Sequence, residues 1–131
     1  MRIMDYNYKQ IGQKFYPIIP LVIFNREKSL DSDALIDSGS MLSLFRKDVA
    51  DELGIMFKSG KPARMASVHG EMLVYVHSLR LVIHDKEFIC QTGFSDEFKA
   101  NVNLLGRMDF FEQFKVTFDE REKKIELLRF E

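Results

Sequence analysis

The chain has 131 residues, a length that predicts a single domain, and its 19 basic and 20 acidic residues give a formal net charge of -1. Hydrophobic residues make up 46% and charged residues 30%, which is typical of a folded globular protein and excludes a disordered one. The balanced charge argues against nucleic acid or an anionic membrane as the main partner.

The sequence contains one cysteine, Cys90, which cannot form a disulfide within the chain, so nothing indicates an oxidising compartment. The first ten residues, MRIMDYNYKQ, lack the apolar core of a signal peptide. The longest apolar run, 18-IIPLVIF-24, is too short to span a bilayer. We therefore expect a cytoplasmic protein with no membrane span.

The N-terminal third predicts a lead-in followed by strands. Residues 1–14 are mixed and polar and predict a loose lead-in or a short edge element, ahead of a single domain at 15–131. Residues 15–25 predict a strand whose two prolines confine it to an edge or a strand start, because proline cannot donate to a ladder. The polar segment 26–33 predicts a hairpin loop, and 34-ALID-37 a short strand buried on both faces.

A short helix is predicted at 44–54. Val49 and Leu53 would share one of its faces, and Gly54 fits the left-handed position after a helix end. The glycine and proline of segment 58–63 predict a loop.

Residues 65–94 have a strand pattern throughout, broken by a polar turn at 84–87 and completed by a return strand at 88–94. A two-residue period predicts that the first strand has one apolar face. The residues of that parity are Leu73, Tyr75, His77, Leu79, Leu81 and Ile83.

The remaining elements are a strand at 102–106, a short helix at 107–114 and a hairpin with strands at 115–118 and 124–130 around the charged turn 119–123. Many short strands, two short helices and no regular alternation of strand and helix predict a mainly β fold.

One arrangement occurs twice. An apolar strand that ends in a glycine-containing turn and is followed by a helix is found at 34–53 and again at 102–114. Two such copies predict an internal repeat, in which two halves of the domain are related by a pseudo-twofold axis.

The motif 37-DSGS-40 is the strongest candidate for chemistry. Asp-Ser-Gly can be ordinary turn chemistry, with side chains bonded to nearby amides. Asp37 can instead be a reactive carboxylate held at the edge of a core. Its place after a buried-type strand, together with the matching apolar-apolar-glycine element 103-NLLGR-107, favours the second interpretation.

With these two elements and the tail 110–127, the sequence resembles the retropepsin-like aspartic proteases in their small bacterial single-domain form, over about residues 15–130. The resemblance implies the acid-protease half-barrel, no cofactor, and an aspartic endopeptidase that cleaves a peptide or protein substrate. It also implies a homodimer, because each chain of this family supplies one aspartate to a site on the twofold axis. Water would be activated between the two Asp37 carboxylates, which share one proton.

The resemblance also assigns roles along the motif. Asp37 is expected to be catalytic, and the Ser38 hydroxyl to brace the two loops across the dimer axis. The N–H of Gly39 is expected to donate to the carboxylates, and Ser40 to fill a position where a small residue is required. The residues expected to support this loop structurally are Leu104, Leu105 and Gly106.

A flap that closes over substrate is expected between the two elements. The best candidate is the segment 66-ASVHGEM-72, with Val68, His69 and Gly70 at its tip. It has only one glycine, unlike the better-known glycine-rich flaps.

Other chemistry has weaker support. The three histidines at positions 69, 77 and 84 have no spacing that fits a compact metal motif, so no metal site is predicted. Cys90 fits a small buried apolar residue. Neither Ser38 nor Ser40 lies in the G-x-S-x-G turn of a serine nucleophile.

Two further functions remain open. The chain can be a non-catalytic retropepsin-like module for peptide binding or dimerisation, or a structural β domain with a chance motif. The sequence has no second Asp-Ser/Thr-Gly, so one chain alone cannot supply a pair of such aspartates.

Overall fold

The structure, a computed structural model, describes residues 3–67 and 69–130. Strands dominate this part of the chain and helices are limited to two short segments, α1 (Lys47–Glu52) and α2 (Phe110–Gln113), which confirms the mainly β class. The strands are β1 (Ile3–Asn7), β2 (Lys9–Ile11), β3 (Lys14–Tyr16), β4 (Ile18–Asn25), β5 (Lys28–Ile36), β6 (Ser43–Leu44), β7 (Lys61–Ser67), β8 (Gly70–Ile83), β9 (Lys86–Phe94), β10 (Asn103–Leu105), β11 (Phe114–Asp119) and β12 (Lys124–Arg129).

Six strands close into a barrel in the order β4-β5-β10-β6-β9-β8, and β4 completes the ring by pairing with β8 at Val22–Phe24. β7 lies outside the ring and forms a hairpin with β8. Pro20 lies in the part of β4 that pairs with β5 before the contact with β8 begins, as expected for a proline at an edge.

A separate sheet, in the order β1-β12-β11, packs on the main core. Residues 3–7 of the predicted lead-in thus form an edge strand, in which the Met4 side chain is buried. β2 and β3 form a two-stranded hairpin of their own. The domain boundary at residue 14 stays a prediction.

The main core joins the barrel, both helices and the terminal sheet. Its largest fully buried side chains are phenylalanines: Phe45, Phe94, Phe110 and Phe114. Helix α1 confirms the predicted helix in shortened form, since Val49 and Leu53 are buried in this core and Gly54 has φ +67°.

The loop predicted at 26–33 is wrong. The turn contains only Arg26 and Glu27, and β5 begins at Lys28 and pairs with β4 along eight residues. The first six residues of β5 are exposed or half-buried, so polar side chains there are compatible with a strand. Burial starts only at Ala34.

Two further boundaries differ from the prediction. The segment 58–63 is not a continuous loop, because a 3-10 turn at Phe57–Ser59 leads directly into β7, and Pro62 is accommodated on that edge strand. The helix predicted at 107–114 shrinks to α2, which begins after Asp109, a residue with φ 67°.

The single apolar face predicted for β8 is correct only in its second half. Leu79, Leu81 and Ile83 are buried in the main core, whereas the buried residues of the first half are Met72 and Val74, which have the opposite parity. These two pack in a second, smaller cluster. The strand therefore covers two cores that lie on opposite faces.

Candidate active site

Asp37 is the first residue after β5, at the point where the chain leaves the barrel wall. Its main-chain N–H donates to the carbonyl of Leu105 at 2.9 Å, and its Oδ1 accepts from the N–H of Gly39 at 2.9 Å. The side chain is half-buried. The backbone of Asp37 is thus fixed by β10 and its carboxylate by its own turn, while solvent still reaches the carboxylate.

The two predicted repeat copies lie side by side. β5 and β10 run parallel, with Leu105 opposite Ile36. Beyond the strands, the N–H of Arg107 donates to the carbonyl of Ser40 at 2.8 Å. The N–H of Met108 donates to the carbonyl of Met41 at 2.7 Å. Each turn therefore holds the other through main-chain bonds, which do not depend on side-chain identity.

Gly106 lies where the two turns cross. A Cβ at this position would be 2.6 Å from the main-chain carbon and oxygen of Leu42 and 2.8 Å from the carbonyl oxygen of Ser40. Its N–H donates to the Oγ of Ser43 at 3.0 Å. The crossing therefore leaves no space for a side chain at residue 106.

The predicted loop residues all lie at this crossing. Ser38 and Gly39 are exposed, and a Cβ on Gly39 would be 3.2 Å from Oδ1 of Asp37. Ser40 is buried, and its Oγ donates to the carbonyl of Leu42 at 2.7 Å. Leu105 is fully buried. Leu104 is half-buried beside the smaller cluster.

The segment predicted as a flap forms the end of the β7–β8 hairpin. Ser67 and Gly70 are the last pair of the ladder, and Gly70 has φ +116°. His69 is exposed in the turn. The third predicted tip residue, Val68, lies outside the described residues.

Ser43 is a residue of the site that sequence reasoning missed. It is fully buried, and besides the N–H of Gly106 it contacts the thiol of Cys90, whose Sγ donates to its Oγ at 3.7 Å. The signal that could have found it is a lone polar residue inside the apolar run 41-MLSLF-45. A buried hydroxyl in such a run needs hydrogen-bond partners.

Surface depressions lie next to the crossing and along β5. One is lined by Met41, Arg107, Met108, Phe111 and Glu112, next to the crossing. Another lies toward the opposite end of β5 and is lined by residues that include Asp31 and Asp33. Asp37 lines neither of these two depressions.

The part of the chain that the structure describes contains no group of three or more His, Cys, Asp or Glu side chains that could hold a metal ion. No helix within residues 3–67 and 69–130 is long and apolar enough to cross a membrane.

No protein-family model matches the chain, and no curated protein matches it either. Solved structures do. A retropepsin-like aspartic protease from Rickettsia conorii matches with a TM-score of 0.69 and 19% identity, over 96% of this chain and 91% of that one. The EIAV protease in complex with the inhibitor HBY-793 matches with a TM-score of 0.58 and 15% identity, over 79% of this chain and 92% of that one.

At these identities the likeness defines the fold. The chain has the fold of the retropepsin-like aspartic proteases, as the resemblance of its two sequence elements predicts. The match to the Rickettsia conorii protein extends over nearly the whole of both chains.

Proposed function

We propose that this chain is an aspartic endopeptidase that acts as a homodimer. The observation that supports it best is the Asp37 turn on a retropepsin-like fold. There a half-exposed carboxylate follows a barrel strand and is held by an N–H of its own turn, while its backbone is held by β10. A turn that served only to reverse the chain would not need a glycine-only crossing beneath it.

Dimerisation follows from the chemistry. Peptide hydrolysis by this route needs one carboxylate to take a proton from water and another to donate one to the scissile carbonyl oxygen. The chain carries one Asp-Ser-Gly. A second copy would bring a second Asp37 opposite the first, and mutual repulsion would keep one proton shared by the pair.

The other residues of the turn fit supporting tasks. The N–H of Gly39 orients the Asp37 carboxylate, and the exposed Ser38 hydroxyl is available to bond across the twofold axis. The buried Ser40 is occupied by its bond to Leu42 and belongs to the turn itself.

The β7–β8 hairpin is the element suited to cover a bound peptide. It is the one extension of the barrel sheet within the described residues, and its outer strand β7 is exposed along almost its whole length. An extended peptide held between this hairpin and the paired Asp37 turns is the substrate we propose.

Replacing Asp37 by asparagine tests the mechanism. Asp37→Asn keeps the size of the side chain and an oxygen that can accept from the N–H of Gly39, so the turn should be preserved. Because the variant cannot transfer the proton, cleavage of a peptide library should fall on the order of 10³-fold or more. The dimer should persist in sedimentation velocity. Asp31→Asn, an exposed change in β5, the strand that precedes Asp37, is the matched control and should cleave as the wild type does.

Retained cleavage by Asp37→Asn would rule out the carboxylate mechanism. A wild-type chain that binds peptides or dimerises but cleaves nothing, with or without an aspartic-protease inhibitor, would instead support the non-catalytic module.

A further inference from the structure

The β7–β8 hairpin changes its support partway along its length. β8 pairs with β9 only from Tyr75 onward, because β9 ends at Phe94, opposite Tyr75. Within the described part of the chain, no strand therefore pairs with residues 70–74 of β8 on that side, although they pair with β7 on the other. An edge that loses its partner leaves main-chain N–H and C=O groups to be satisfied in another way.

Two side chains take the place of the missing strand at Leu73. The main-chain N–H of Leu73 donates to Oε2 of Glu97 at 3.0 Å, and its carbonyl accepts from Oγ of Ser95 at 2.6 Å. Both side chains come from the turn directly after β9. We call Ser95 and Glu97 the clasp.

The clasp is internally connected and tied to the body of the protein. Ser95 is buried, and its Oγ also accepts from the N–H of Glu97 at 3.1 Å. Between them, Asp96 pairs with Lys47 of α1 at 3.2 Å and with Lys58 of the 3-10 turn at 2.9 Å. These pairs are exposed and individually weak, but they join one short turn to two other elements.

Leu73 thus marks a boundary in the hairpin. Leu73 pairs with Arg64, and toward the barrel Tyr75 and Val76 pair with both β7 and β9. Beyond it, residues 65–67 and 69–72 at the tip are held mainly by the β7–β8 ladder and by the packing of Met65 and Met72 in the smaller cluster. Leu73 is therefore the last residue toward the tip at which β8 is held on the side away from β7.

We propose that the clasp sets the pivot of the β7–β8 hairpin, so that Ser95 and Glu97 are positioning residues for the closure of its tip over a bound peptide. The closure over peptide rests on the function proposed above, whereas the pivot depends only on the fold.

Glu97 is the residue to change, because its contact with Leu73 is exposed and water can replace it without loss of the fold. Glu97→Ala removes the acceptor, whereas Glu97→Gln keeps an oxygen at the same place. Glu126→Ala, on an exposed position of β12, is the control for the loss of a surface carboxylate.

Hydrogen exchange measured by mass spectrometry tests the pivot. In Glu97→Ala, amides of 69–73 should exchange at least about tenfold faster. The reason is that local opening of this edge costs less free energy when there is no bond to Glu97 to break. Glu97→Gln and Glu126→Ala should exchange as the wild type does, and the thermal midpoint should stay within about 2 °C in all three. The same measurement on an Asp37→Asn background makes the result independent of activity.

Peptide kinetics test the positioning role. A tip that contacts the peptide equally before and during reaction affects binding, so Glu97→Ala should raise KM about tenfold and leave kcat within about twofold. Glu97→Gln should restore KM.

Three results are decisive. Unchanged exchange in Glu97→Ala would overturn the pivot. Faster exchange with an unchanged KM would overturn the positioning role. Faster exchange in Glu97→Ala, together with a wild-type chain that cleaves no peptide, would support the pivot and count against the proposed function.

Discussion

Cys90 is fully buried in the main core and is connected through one hydroxyl to Gly106, at the crossing of the two turns. Its thiol donates to Oγ of Ser43, the same atom that accepts the N–H of Gly106. Burial raises the pKa of the Cys90 thiol to about 11, and the hydrogen bonds with Ser43 and Thr92 oppose this rise. The thiol therefore stays neutral at physiological pH and packs in the main core.

The shift predicts an alkaline loss of stability. The pKa of the folded thiol lies above its ordinary value of 9.0, so the contribution of Cys90 is fully present below pH 9 and is lost as the pH rises toward about 11. A shift of this size corresponds to about 3 kcal/mol. Urea unfolding of the wild type and of Cys90→Ala, from pH 7 to pH 11, should show the wild type losing more stability by up to that amount.

The comparison of the two proteins removes other alkaline effects, including that of Tyr8, whose pKa is raised to about 12 by burial and by the bond to Glu120. Parallel curves for wild type and Cys90→Ala would contradict the prediction.

For single residues, the sequence predicts contacts between neighbours in the chain and not contacts between residues that lie far apart in it. Asp37, Ser38 and Gly39 are consecutive residues of one turn, so the sequence alone shows that they lie close together. Ser43 and Glu97 act on residues that folding brings to them, Gly106 and Leu73, and no local pattern links such pairs.

Among the elements, the crossing of the two turns is the most constrained part of the site. The neighbours that a side chain at Gly106 would meet are main-chain atoms of Leu42 and Ser40, which cannot rotate away. The carbonyl of Ser40 accepts from the N–H of Arg107, and the carbonyl of Leu42 accepts from Oγ of Ser40.

Gly106→Ala should therefore lower the free energy of unfolding by about 3 kcal/mol, at the upper end of the usual cost of overpacking. Gly12→Ala is the control: it lies in open space with φ +65° and should cost only about 1 kcal/mol, the conformational penalty of a left-handed residue. Chemical denaturation measures both. Equal losses in the two variants would show that crowding at the crossing is not the cause.

Secondary-structure elements could be predicted where the residue pattern of a strand and its pairing partner lie close together in the sequence. The β11–β12 hairpin has both strands and a charged turn in one short stretch, and it forms as predicted. β5 begins with polar residues that resemble a loop, yet its ladder with β4 makes them a strand. The two halves of β8 bury residues of opposite parity because they pack in two different cores. The second core contains Leu44, which is distant in sequence, so the local pattern of β8 could not show it.

For the whole molecule, the proposed dyad predicts how mixed populations behave. When wild-type and Asp37→Asn chains are combined in equal amounts and allowed to exchange, about a quarter of the dimers contain two aspartates. Peptidase activity should then be about a quarter of that given by the same total concentration of wild-type chain. Chains that act singly would retain about half.

Combining the wild type with Asp31→Asn instead should leave activity unchanged, which controls for concentration and handling. An activity near half in the Asp37→Asn mixture would contradict the shared site.

The parallel contact between β5 and β10 has a consequence for how the protein is made. The Asn103 side chain donates to the carbonyl of Asp33 at 3.0 Å, across 70 positions of sequence. Contacts of such separation form late, because a long loop must close first. A growing chain on the ribosome thus carries Asp37 well before it has the strand that shapes its turn. The arrival of β10, rather than the synthesis of the aspartate, determines when the site comes into being.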